Sequence, residues 1–154
     1  MDIALGHSVW IGLAATAAMT LLLYVLPVFG FPKTDVAYFL GTLFRFHPSR
    51  ASLYGLIIHF AMGIIFAFLY GLGFVFLDVS PKWWVGSIAG VFHWLAMMLS
   101  MDMLGEMNRG VQSGQIAKPG FLLSNLGAAA ALGSLVRHVS FGTVVGLLFD
   151  IYGT

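Results

Sequence analysis

The chain contains no cysteine. That excludes disulfides, thiolate metal sites and cysteine nucleophiles. Charge is scarce as well. Asp, Glu, Lys and Arg make up 8% of the 154 residues, against about 25% in a soluble domain. The net charge of +1 provides no nucleic-acid footprint. None of the five prolines falls in the middle of an apolar run, so the interrupted helices of many transporters have no sequence signal here. There is no glycine-rich phosphate loop after a strand, no His-Glu-x-x-His and no Gly-x-Ser-x-Gly. The connections between apolar runs are too short to hold a substrate pocket, which points away from autonomous catalysis. The opening residues Met1-Asp2-Ile3-Ala4 lack the positive region of a secretory signal, so the first apolar run reads as a mature span.

What the chain does contain is apolar. Hydrophobic residues make up 60% of it, with 14 Phe and 4 Trp. Four runs, 4–26, 52–77, 83–104 and 126–152, reach the roughly 20 residues that cross a bilayer. The expected fold is a single all-α membrane domain over 1–154. Lys33, Arg45 and Arg50 lie in the first connection and Arg109 and Lys118 in the third, whereas the second has Lys82 alone. Basic residues collect on the cytoplasmic side. The expectation is therefore a multi-pass protein of the inner membrane with both termini outside the cytoplasm. Trp83, Trp84 and Tyr152 suit an outer aromatic belt and Tyr54 an inner one. The stretch 34–44 is too short to span. Thr34 and Asp35 provide a helix start, and a short amphipathic helix in the cytoplasmic interface is expected there. Residues 120–126 are candidates for a second.

Two of the spans carry the same four-residue ladder. One reads Gly55, His59, Gly63, Ala67, Gly71, and the other Ser134, His138, Gly142, Gly146, Asp150. Each ladder is one helix face, with one histidine among small residues. His59 and Gly63 correspond to His138 and Gly142 at a spacing of 79, and Gly12, Ala18, Met19 and Leu21 correspond to Gly90, Ala96, Met97 and Leu99 at 78. This predicts an internal duplication, with halves 1–77 and 81–154. Each half has two spans, so the repeat is parallel about an axis along the membrane normal. His59 and His138 are then expected at one depth.

Several stretches carry a resemblance: Asp35-Val-Ala-Tyr-Phe-Leu-Gly-Thr-Leu-Phe44, His59-Phe-Ala-Met-Gly-Ile-Ile-Phe66, Trp94-Leu-Ala-Met-Met98 and His138-Val-Ser-Phe-Gly-Thr-Val-Val-Gly146. Together they resemble an uncharacterised family of small four-helix bacterial inner-membrane proteins. The resemblance implies a four-span bundle and transfers no activity and no catalytic residue. The methionine-rich end of the third span and the 105–120 loop depart from the family pattern.

Ionisable residues in a span mark candidate sites. His59 and His138 on two facing helices suit the axial ligands of a b-type haem, with Gly63 and Gly142 leaving room for the ring. The plain alternative is a histidine hydrogen bond to a neighbouring helix, worth about 1 kcal/mol in a membrane, with the glycines serving close packing. His93, Met97 and Met101 share a face and suit copper, against methionine as a core gap filler. Asp102 and Glu106 form a carboxylate pair at the interfacial end of the third span, with Arg109 placed to pair with Glu106. Arg137 is expected to snorkel to the interface. If it faces the bundle instead, Asp102 or a haem propionate is its partner. His7 and His47 have no partner evident in the sequence.

Two functional readings follow. One is an accessory or scaffold subunit of a larger membrane complex, redox or energy-transducing, with or without haem. It would contact lipid, other membrane subunits or copies of itself. The other is a small dimeric transporter, or a module that handles an ion or copper.

Overall fold

The computed structural model describes residues 4–153. Four helices are long and apolar enough to cross a membrane. They are α1 (Ser8–Val25), α3 (Pro48–Phe76), α4 (Trp83–Met107) and α6 (Ala128–Tyr152), and two short helices, α2 (Val36–Leu43) and α5 (Arg109–Gln112), lie in the connections.

Local chemistry sets the boundaries. Pro27 sits in a 3-10 turn that ends the first span, and Gly30 closes that turn at φ +88°, a conformation that suits glycine. Asp35 caps α2, its carboxylate accepting from the Tyr38 amide at 2.8 Å. His47 caps α3, its Nδ1 accepting from the Ser49 amide, and Pro48 occupies the first turn, where the missing N–H is harmless. His47 thus has a structural partner that was not evident in the sequence. Residues 120–126 do not form a second short helix. They hold a 3-10 turn, Phe121–Leu123, with Leu122 and Leu123 both at positive φ, and Leu123 is buried against Met98 and Ala130.

The spans pack as a ring with one loose seam. α1 lies against α3 and α6, and α4 lies against α6. The ladder glycines set how closely the backbones approach. A Cβ on Gly63 would strike the Thr16 side chain of α1, and one on Gly142 or Gly86 would strike the other's backbone carbonyl across the α4–α6 contact. Such contacts replace the hydrophobic drive that is missing between helices in lipid. α3 and α4 meet through side chains instead, with Phe66 and Tyr70 against the ring of His93.

Outward positions are apolar, among them Phe76, Val28, Leu21 and Phe92, as a lipid-facing surface requires. At one end Lys82 pairs with Asp150 at 2.6 Å, and the Ala4 amide donates to the Gly153 carbonyl. The opposite end carries Lys33, Arg45, Arg50, Arg109 and Lys118 and is closed by α2 and α5. α2 packs along α3, where Gly41 and Gly55 allow backbone contact. Asn108, fully buried, donates through Nδ2 to the Phe39 carbonyl of α2, while its Oδ1 accepts from the Gly110 and Val111 amides of α5.

Candidate functional site

The loose seam and α2 border a partly open cavity of about 720 Å³ in the half of the bundle nearer the basic end. This lies within the roughly 300–1,000 Å³ of pockets that enclose drug-sized ligands. Its walls are mostly apolar. Phe39 and Leu43 of α2, Met62 and Phe66 of α3, and Met97 and Met101 of α4 contribute. Within the bundle the polar lining is His59, His93, Arg137, His138 and Ser134, with Thr16 on α1, and Lys33, Thr34 and Asp35 line the end beside α2.

α6 supplies the centre of the site. Ser134, Arg137 and His138 are all buried, Arg137 with 6% exposure. His138 Nδ1 lies 2.8 Å from the Ser134 carbonyl. A carbonyl only accepts, so Nδ1 carries the proton and Nε2 keeps its lone pair. The His93 ring stands edge-on to His138 with centroids 4.9 Å apart. On its other side, His93 Nδ1 lies 3.5 Å from the Tyr70 hydroxyl. His59 Nε2, on α3, is buried without a hydrogen-bond partner among the described residues.

The structure thus brings the two candidate histidine sets together. His59, His93, Met97, Met101 and His138 all line one cavity. The ring beside His138 is that of His93, and the His59 ring stacks edge-on with Phe60. Among the described residues no group of three His, Asp or Glu is arranged to hold a metal ion. Met97 and Met101 pack beside Trp94 and Met98, and the Ser134 hydroxyl lies 3.9 Å from the Met98 sulfur.

Three expectations are corrected. Arg137 does not snorkel. It stands nine residues beyond the start of α6 at Ala128, about 14 Å along the helix, and its side chain lines the cavity. Among the described residues no carboxylate lies within ion-pair distance of it, and its Nε has no acceptor. Asp102 and Glu106 instead share Lys118, each at 3.0 Å. Arg109 is therefore not the partner of Glu106. The Lys118 ammonium is held above its ordinary pKa by hydrogen bonds to Asp102 and Glu106. Finally, Gly142 leaves no room for a ring beside His138, because its open side is filled by the Gly86 carbonyl and the Gly90 backbone. Gly63 borders the cavity, yet its missing Cβ accommodates Thr16.

Sequence reasoning missed Tyr70, Asn108 and Thr16. Phe66, Tyr70 and Phe74 are spaced by four, an aromatic stripe that signals a buried face. Asn108 before Arg-Gly-Val-Gln has the signature of an Asx cap. Thr16 donates to the Gly12 carbonyl at 2.7 Å, an i−4 bond that lets a hydroxyl sit inside an apolar helix. Compared with known proteins, the chain matches no family model, no curated protein and no solved structure.

Proposed function

We propose that this protein is a small accessory subunit of a larger membrane assembly whose working part is the cavity between its helices, where it holds a small ligand within the bilayer. The observation that carries this reading is the cavity itself: an apolar chamber with histidines and one arginine gathered at its polar centre. The small-residue seams and the broad aromatic exterior suit tight contact with other spans.

The membrane placement belongs to the same proposal. The basic end faces the cytoplasm by the charge rule, α2 lies in the headgroup region on that side, and both termini face outward. The two halves, 1–77 and 81–154, descend from a duplication. Its support is the matched spacing together with the equivalent pairings of α1 on α3 and α4 on α6. The halves have diverged by about one helical turn in packing. Gly63 seats beside Gly12 and Thr16, whereas Gly142 seats beside Gly86 and Gly90.

Extraction from native membranes in mild detergent tests the subunit reading. The expected result is co-purification with larger membrane proteins and a small molecule retained in the cavity. A stable monomer with an empty cavity would overturn it. An absorbance spectrum before and after dithionite identifies the ligand type. A Soret band that moves on reduction identifies haem, and substituting His59, His93 and His138 one at a time then finds any axial ligand. A spectrum flat beyond the tryptophan band leaves a colourless ligand.

A further inference from the structure

Arg137 brings to the cavity a buried charge with no ion-pair partner among the described residues. Arg137 is 94% buried by its 6% exposure, faces an apolar chamber and has no carboxylate within ion-pair distance among the described residues. Guanidinium does not shed its proton to escape such a place. Intramembrane charges are costly and are ordinarily paired or matched to a ligand. Beside it stand the neutral-capable imidazoles of His59, His93 and His138, and Lys33 lines the α2 end of the same space. The cavity's own carboxylate, Asp35, stands at the α2 end, where it caps the Tyr38 amide. His59 Nε2 is a second buried polar atom with no partner among the described residues. Apart from Thr16, Ser134 and, at the α2 end, Lys33 and Thr34, the rest of the lining is apolar, and much of it is methionine, whose flexible thioethers adapt to chains of varied shape.

Resting on the ligand-holding reading above, we infer that the cavity takes an amphiphile with one anionic head, a carboxylate or a phosphate monoester, and one apolar chain. The head seats on the Arg137 guanidinium, which offers forked donors to paired oxygens, and His59 Nε2 lies within the same polar centre. The chain lies along Met62, Phe66, Met97 and Met101. The α3–α4 seam is closed by side chains, Phe66 and Tyr70 against His93, rather than by backbone contact.

The test uses the full chain in phosphatidylcholine nanodiscs and follows thermal unfolding with added probes. A ligand that binds only the folded state raises the midpoint with concentration. Dodecanoate and dodecyl phosphate are expected to raise it, and dodecyltrimethylammonium is not. In Arg137→Gln the anionic probes should bind about tenfold or more weakly, the usual scale for losing a charge-assisted contact, whereas Arg137→Lys retains part of the response. The ligand-free Arg137→Gln protein should unfold no earlier than wild type, because it has lost an unpaired buried charge.

Equal responses to the anionic and cationic chains would overturn the inference. So would a ligand-free Arg137→Gln protein that unfolds well below wild type, which would make the arginine structural. An equal response to acetate or inorganic phosphate alone would make this a small-anion site and remove the chain from the proposal. If a neutral molecule or haem binds wild type and Arg137→Gln alike, the ligand-holding reading stands and the anionic head fails. If nothing binds and nothing co-purifies, both fail.

Discussion

Replacing Gly142 by Ala probes the backbone contact between α4 and α6. The new Cβ would meet the Gly86 carbonyl oxygen and lie 3.0 Å from the Gly90 Cα. Both are backbone atoms, so no side chain can rotate away, and α4 must move as a unit. Overpacking of this kind costs typically 1–3 kcal/mol, and an unyielding backbone contact belongs at the upper end. Alanine recovers up to about 1 kcal/mol of helix propensity relative to glycine. The expected net loss is about 2 kcal/mol. Gly73→Ala is the control, because a Cβ there meets nothing within 4 Å and the propensity gain stands alone. The two variants should differ by roughly 2–3 kcal/mol. Circular dichroism during reversible unfolding in mild detergent reads this directly. If Gly142→Ala is as stable as Gly73→Ala, then α4 and α6 do not touch through their backbones, and the geometry that closes one side of the cavity is wrong.

Two further predictions concern the ends of the bundle. Asn108→Ala removes a cap on α5 and a bond to α2 from a fully buried side chain. The left-over donors and acceptor should lower stability by about 2–3 kcal/mol, and faster amide exchange at Gly110 and Val111 is the local signature. Asp150→Asn breaks the Lys82 pair at the other end, where both side chains are partly exposed. Unfolding measured at low and high salt should show a loss below about 1 kcal/mol that shrinks as salt rises.

Much of the architecture was legible because lipid imposes few solutions. The four apolar runs could only be helices, and the ends at Pro27 and Pro81 followed from proline chemistry. The start of α3 was placed at 52 rather than Pro48 because His47 was not recognised as a cap. The candidate site was legible in parts. The four-residue ladders correctly put His59 and His138 on inward faces, and the spacing of His93, Met97 and Met101 gave another such face. A period of four reports which residues share a side of one helix, but not which helix stands opposite. The meeting of His93 with His138 depends on α4 packing against α6 through Gly86, Gly90, Gly142 and Gly146. Arg137 was misplaced for a related reason. Its distance from the start of the apolar run suggested reach to the interface, but its place beside Ser134 and His138 on the buried face of α6 turned it inward.

That inward charge also discriminates between ligands that the sequence left equal. A copper ion held by His93, Met97 and Met101 would share its cavity with an uncompensated guanidinium. At an effective dielectric of 20, two like unit charges repel by about 4 kcal/mol at 4 Å and still by about 2 kcal/mol at 8 Å. The methionine sulfurs would have to overcome that repulsion before gaining anything, whereas for an anion the same charge becomes attraction. The apolar surroundings enlarge both effects by excluding water. On the proposed reading the methionines therefore belong to the wall and the arginine to the binding, and a cation would be drawn instead to the α2 end, where Asp35 lines the cavity.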